Sequence, residues 1–344
     1  MRAAFLFGAG DVRVVDAPEP AILQPTDAIV RVTASCVCGS DLHPYRRATP
    51  MPEGAAMGHE FVGVVEDVGP EVADVRPGDL VIAPFAWSDG TCDFCREGLQ
   101  TSCRNGGFWG SADVPGGQGE RVRVPFADGT LAVVPPGADE ALLPDLLTLS
   151  DVYGTGWHAA VRGGVRTGID VTVIGDGAVG LLAVLSAKQL GAERIILMGR
   201  HAARTDLGVE FGATDVVVER GAEGVDHVKE LTGGDGTRVV LEAVGHLDAF
   251  EQALGVVRAG GTVSRVGVPQ YREGPIGRAQ FGRNVTITGG VAPVRAYIGE
   301  LMPGVLAGDV HPGRVFDRVL PLEETPEAYR LMESREALKV MLRP

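Results

Sequence analysis

The spacing of apolar positions changes part-way along this chain. Up to about residue 150, short Val-rich runs such as Ala28–Thr33, Phe61–Val68 and Leu80–Ala83 are separated by Pro and Gly turns. That pattern predicts a β-rich, irregular region. From Val171 onward, predicted strands and helices alternate: strand Val171–Ile174, helix Ala178–Leu190, strand Arg194–Met198, helix Ala202–Phe211, strand Asp215–Val218. Arg238–Glu242, Leu247–Arg258 and Thr262–Val266 continue the alternation. Strands alternating with helices build a parallel, doubly wound α/β sheet. After about Gly290 there remain one helix, Val294–Leu306, and a mixed tail too short for a domain of its own. The tail is expected to return to the first region. The predicted domains are therefore 1–152 with 291–344, and 153–290.

Composition narrows the function classes. With 344 residues, the chain is long enough for two domains. Hydrophobic residues at 45% and charged residues at 22% fit a soluble globular protein. A formal charge of −14 would repel phosphate backbones, so nucleic acid is not an expected partner. The longest apolar stretch, Val171 to Leu190, is broken by three glycines, Asp176 and Lys188, and reads as a strand plus a buried helix. No membrane span is expected. The run Met1–Phe7 ends at Gly8 and is too short for a signal peptide, so a cytoplasmic protein is expected. The five cysteines are Cys36, Cys38, Cys92, Cys95 and Cys103. An odd number in such a chain makes a poor disulfide framework, and metal ligation is the better reading.

Gly175, Gly177 and Gly180 form a G-x-G-x-x-G motif directly after the Val171–Ile174 strand and at the start of an apolar helix. That context identifies a dinucleotide-phosphate turn, with Val179 in its first helical turn. Gly175 makes the turn, Gly177 lets the backbone approach the pyrophosphate, and Gly180 lets helix and strand pack closely. The helix N-terminus then meets the anion with free N–H groups and a favourable dipole. The next strand, Ile195–Met198, ends in Gly199, Arg200 and His201, with Arg204 close behind. A site for NAD usually carries an acid at this tip, bound to the ribose 2′-hydroxyl. Here a small residue and three cations predict NADP(H) over NAD(H).

Cys38 in Cys38-Gly39-Ser40-Asp41-Leu42-His43, and His59 in Gly58-His59-Glu60, are good ligands for a borderline-soft ion such as zinc. With these segments the chain resembles the medium-chain, zinc-dependent alcohol dehydrogenases over essentially its whole length. The resemblance implies a GroES-like catalytic domain beside a Rossmann domain. It places the third ligand at Asp151, as in the bacterial NADP-dependent secondary alcohol dehydrogenases, which use Cys, His and Asp. It also matches Asp89, Cys92, Cys95 and Cys103 to the family's structural-zinc lobe, with Asp89 standing where the first cysteine belongs. A carboxylate is an acceptable zinc ligand, although oxygen in place of thiolate should weaken the site.

The resemblance assigns roles as well. Cys38, His59 and Asp151 would hold a catalytic zinc with one position open, and Glu60 could exchange into it. Ser40 would hydrogen-bond the substrate oxygen, and His43 would pass its proton to solvent. Asp41 would orient His59. Thr155 would contact the nicotinamide, and Val268 would lie along the cofactor. Phe85, Trp109 and Tyr153 are candidates for pocket walls or plain core. The expected reaction moves hydride between NADP(H) and a secondary alcohol or its ketone, a small-molecule substrate. Rival readings are an NAD-dependent sorbitol- or butanediol-type polyol dehydrogenase, a zinc-free quinone reductase, and a non-catalytic binding protein. Relatives pair through the edge of the cofactor sheet, here Asn284–Thr288, so a homodimer or homotetramer is expected.

Overall fold

The computed structural model describes residues 1–51, 53–110 and 114–344. The chain folds into two compact units, Met1–Asp151 joined by Pro293–Pro344, and Val152–Ala292.

The first unit is built on a seven-stranded sheet. Along it run Ala132–Val133, Leu80–Ala83, Phe61–Val68, Ala28–Cys36, Val340–Arg343 and Arg318–Pro321, and Arg121–Val124 pairs with Ala28–Cys36 off that path. The long central strand runs on to Cys36, three residues past the apolar run that signals it. Its extra residues are held by the chain's last strand, with Met341 opposite Cys36 and Leu342 opposite Ser35. Phe61, Val65, Val81, Val122 and Leu131 fill the core of this sheet. The tail also carries a helix, Thr325–Glu333, whose Tyr329 is fully buried with Leu6, Val37 and Val340.

The second unit is a six-stranded parallel sheet. Its order is Asp215–Val217, Arg194–Met198, Asp170–Ile174, Thr237–Glu242, Val257–Arg265 and Thr286–Gly289. The strand order reverses between Asp170–Ile174 and Thr237–Glu242, and in such sheets ligands bind beyond the carboxyl ends at that reversal. Val171, Thr172, Val173 and Ile174 are all buried. This is the continuous apolar run of a strand covered on both faces. The segment read as Leu247–Arg258 divides: helix Leu247–Val256 is followed at once by strand Val257–Arg265. The strand starts early because Val257 pairs with Thr237, and only a glycine at 236 (φ +88°) can pass this close to Val256.

Among the described residues no helix is long and apolar enough to cross a membrane.

Candidate active site

In the first unit, the end of the central strand, the approach to Phe61–Val68 and the turn after helix Leu143–Thr148 bring four donors together. Cys38, His59, Glu60 and Asp151 each offer a ligand atom, and these atoms lie within 4.8 Å of one another. His59 Nε2 is 3.4 Å from Asp151 Oδ2, and Cys38 Sγ is 3.7 Å from the same oxygen. Tetrahedral zinc with ordinary bond lengths would set these separations at about 3.3 and about 3.5 Å. The donor set and its spacing therefore fit zinc.

The surroundings orient these groups. Asp41 Oδ1 lies 3.1 Å from His59 Nδ1, which directs the other ring nitrogen, Nε2, toward the cluster. Asp41 Oδ2 accepts the Cys38 backbone N–H at 2.9 Å, so one carboxylate holds both ligands. Burial opposes charge on His59, but its acidic neighbours, Asp41 first, outweigh it and push its pKa well above the usual histidine range. The cluster thus favours a cation, and a metal ion can take the proton's place. Glu60 Oε1 is 3.8 Å from His59 Nε2 and pairs with Lys339 Nζ at 2.8 Å, both side chains being fully buried. Glu60 Oε2 has no hydrogen-bond partner. Burial disfavours charge on Lys339 as well, yet Cys36, Glu60 and Cys38 keep it protonated.

Ser40 Oγ lies 3.4 Å from His59 Nε2, beside the cluster. His43 is half-buried in the first turn of helix Leu42–Arg47, its N–H bonded to Ser40 O at 3.1 Å. Phe85 stands edge-on to His59 with ring centroids 6.5 Å apart. The other two aromatic candidates are core residues. Trp109 donates to Pro84 O and packs on Phe61, while the Tyr153 hydroxyl bonds Gln189 Oε1 at 2.7 Å.

Asp89, Cys92, Cys95 and Cys103 form a second four-donor group on a lobe of the same unit. Cys92 Sγ is 3.6 Å from Cys95 Sγ and 3.8 Å from Cys103 Sγ. Backbone N–H groups of Arg104 and Cys95 lower the Cys92 pKa, while burial and the neighbouring thiols push Cys95 up to about 12. Thiols this close cannot all ionise without a cation, and a divalent metal would remove the conflict. The Asp89 carboxylate accepts from the N–H groups of Thr91 and Cys92 and from Asn105 Nδ2, at 2.7 to 3.0 Å. It is already partly committed to shaping its own loop.

In the second unit the glycine turn has the shape its spacing predicts. Gly175 is left-handed (φ +114°), and a Cβ at Gly180 would stand 1.9 Å from Gly175 O. A Cβ at Gly177 would meet nothing within 4 Å, so that backbone is open to a ligand. Helix Ala178–Gln189 starts there, with Val179 half-buried in its first turn. These features fit a dinucleotide pyrophosphate. At the next strand tip Arg200 is exposed, and His201 and Arg204 are half-buried. Thr155 is buried in helix Val152–Gly163. Val268 is 56% exposed, beyond the strand ending at Arg265.

Residues 24–135 match the family of alcohol dehydrogenase GroES-like domains, and residues 178–302 match the zinc-binding dehydrogenases. A Mycobacterium tuberculosis protein named as a probable zinc-binding alcohol dehydrogenase is 37% identical over 100% of this chain and 89% of its own. The chain belongs to the zinc-dependent medium-chain alcohol dehydrogenase family. Within that family it is similar to the alcohol dehydrogenase of Thermus sp. ATN1, at 36% identity and a TM-score of 0.91, covering 100% of this chain and 99% of that one. It is also similar to a zinc-binding dehydrogenase of Sinorhizobium meliloti 1021 solved with NADP bound. That pair shares 28% identity, a TM-score of 0.82, and coverage of 100% of this chain and 99% of that one.

Family membership supports an oxidoreductase acting on alcohols, but it leaves unexplained several residues that the motifs do not signal. Gln118 donates to Cys36 O and to Asp41 Oδ2, at 2.9 and 3.3 Å, and accepts from the Tyr329 hydroxyl at 3.0 Å. Gly58 must be glycine (φ +97°), since a Cβ would stand 2.6 Å from the Gln118 backbone N. Lys339 reaches Glu60 from 279 positions away. Asp176 lies inside the glycine motif itself. Its Oδ2 accepts the N–H groups of Arg200 and His201 and lies 2.8 Å from His201 Nδ1. The strand tip, read from its own residues as lacking an acid, receives one from the turn. The space left by Gly199 is filled as well, because a Cβ there would stand 2.6 Å from Asp176 Cβ.

Proposed function

We propose that this protein is a zinc-dependent dehydrogenase that moves hydride between a nicotinamide dinucleotide and a secondary alcohol or its ketone. The observation that carries this reading is the Cys38–His59–Asp151 cluster, whose 3.4 and 3.7 Å separations fit one tetrahedral zinc. Zinc held there supplies Lewis acidity that lowers the pKa of an alcohol hydroxyl, and the dinucleotide supplies the hydride acceptor. The chain's own residues do the rest. Asp41 fixes the His59 ring and the Cys38 backbone. Ser40 Oγ, beside His59 Nε2, is placed to accept the substrate's hydroxyl proton. His43, three residues further on and half-buried, would receive that proton through the cofactor ribose and pass it to solvent. Glu60, held by Lys339, would be a further ligand for the metal. Phe85 gives the substrate side of the cluster an apolar wall.

Asp89, Cys92, Cys95 and Cys103 are proposed to hold a second, structural zinc. For the dinucleotide, Gly175, Gly177, Val179 and Gly180 are assigned to the pyrophosphate, and Thr155 and Val268 to the nicotinamide end. Arg200, His201 and Arg204 support NADP(H), which is the form proposed. NAD(H) is a second reading, favoured by the carboxylate that Asp176 brings to the strand tip. An NAD(H) preference would also add weight to the polyol branch. The working form is proposed to be a cytoplasmic homodimer or homotetramer.

The test is oxidation of NADPH and NADH by zinc-loaded protein against a panel of small ketones, with polyol oxidation run in parallel. Turnover of ketones with NADPH is expected. Turnover of polyols alone with NAD would replace the secondary-alcohol reading, and no turnover with bound zinc and bound dinucleotide would favour a binding protein.

A further inference from the structure

We propose that Asp176 reads the 2′ position of the adenosine ribose and sets the discrimination between NAD and NADP. This inference rests on the reading that the Gly175–Gly180 turn holds a nicotinamide dinucleotide. In doubly wound sheets the ribose lies against the tip of the strand after the glycine turn, and an acid there binds its 2′-hydroxyl. In this chain the tip residue is Gly199, and the acid comes from the turn. Asp176 Cβ lies where a residue-199 side chain would begin, 2.6 Å from the ideal Cβ position.

Three consequences follow from that placement. The first is charge. The backbone N–H groups of Arg200 and His201 and the His201 ring outweigh burial and hold the Asp176 carboxyl below its usual range. An ionised carboxylate accepts from a ribose hydroxyl and repels a phosphate. The second is donor supply. The N–H groups of Arg200 and His201, which could otherwise cradle a 2′-phosphate, are spent on Asp176 at 2.8 and 2.9 Å. The third is the cation count. His201 Nδ1 is drawn to the same oxygen at 2.8 Å, so one of the tip's three basic side chains is turned toward the carboxylate. All three contacts use Oδ2, so none of them occupies Oδ1. Asp176 thus holds any advantage of NADP to a narrow margin.

The experiment is calorimetric titration of the zinc-loaded protein with NAD, NADP, ADP-ribose and 2′-phospho-ADP-ribose. The last two report the ribose contact without nicotinamide or turnover. Asp176→Asn keeps an acceptor for the two backbone N–H groups and removes the charge. Gly199→Ala displaces the carboxylate by a different route and covers the case in which Asp176→Asn fails to fold. Each variant is expected to shift the ratio of the two Kd values by about tenfold or more toward the 2′-phosphorylated ligand. Ratios that stay within about twofold of the parent, with both ligands still binding, would overturn the role given to Asp176. A parent protein that binds none of the four would instead overturn the dinucleotide reading, and this inference with it.

Discussion

The two four-donor clusters of the first unit are made in opposite ways. Asp89, Cys92, Cys95 and Cys103 fall within fifteen consecutive residues, on a lobe whose helices, Asp93–Arg96 and the 3-10 turn Gln100–Ser102, are both short. Cys38, His59, Glu60 and Asp151 come from three separate segments. They are held by a strand end, a left-handed glycine, a helix end and the buried Lys339. The local cluster is ordered by short elements and by hydrogen bonds to Asp89, so metal would contribute much of its stability. The dispersed cluster is already ordered by packing, by Asp41 and by Gln118. A metal held there could therefore keep an open position and exchange ligands without unfolding the site. Local donors stabilise a loop, whereas donors fixed by the surrounding fold can be used for chemistry.

This contrast can be broken most forcefully at Asp151. Asp151→Ala is expected to lower turnover by about a thousandfold, the several kcal/mol that a Lewis-acid centre supplies. Metal analysis should show the lobe ion retained. Loss of both ions would mean the clusters are not independent. Asp41→Asn should cost about 10–100-fold in activity or zinc affinity, because it releases the His59 ring and the Cys38 backbone without removing a ligand. An unchanged zinc affinity and turnover would make Asp41 a bystander. Cys95→Ser should act in the opposite sense. A loss of about 2 kcal/mol, seen as a Tm lower by about 5 °C, should leave turnover per catalytic zinc within about twofold. A collapse of turnover at unchanged Tm would give the lobe a direct part in the chemistry.

The last effect is confined to acid pH, a background that acid titrations of either cluster must subtract. Burial holds His158 near a pKa of about 4, despite a hydrogen bond with the Gly289 backbone. The unfolded chain takes up a proton at this histidine below pH ~6.5, and the folded chain does so only near its depressed value. Stability from His158 is therefore full above pH ~6.5 and falls as pH drops toward the folded pKa, by at most ~3 kcal/mol. Chemical denaturation of His158→Gln between those limits should show a flatter acid limb. An identical limb would assign the acid loss to other groups.

The sequence was readable where a signal is local. The Phe61–Val68 and Leu80–Ala83 strands, the glycine turn and the Val294–Leu306 helix are each encoded by contiguous residues. The lobe cysteines show themselves by spacing. Asp151 has no such signal, since a lone aspartate near a helix start is ordinary, and only family resemblance pointed to it. Gln118 and Lys339 act through pairings that span 77 and 279 positions, which no local pattern encodes. Asp176 was missed for a different reason. The acid that reads a ribose is sought at the strand tip, and here the backbone turn carries it to that place from the preceding loop. Gly199 consequently looked like room for a phosphate, when the Asp176 side chain fills that room.

The central claim is that Cys38, His59 and Asp151 hold a reactive zinc. Its most direct test is zinc K-edge X-ray absorption on the lobe-less variant Cys92→Ser/Cys95→Ser. The account predicts one zinc per chain, with one sulfur at about 2.3 Å and nitrogen or oxygen ligands near 2.0 Å. A sulfur-rich shell, or no zinc at all, would contradict it.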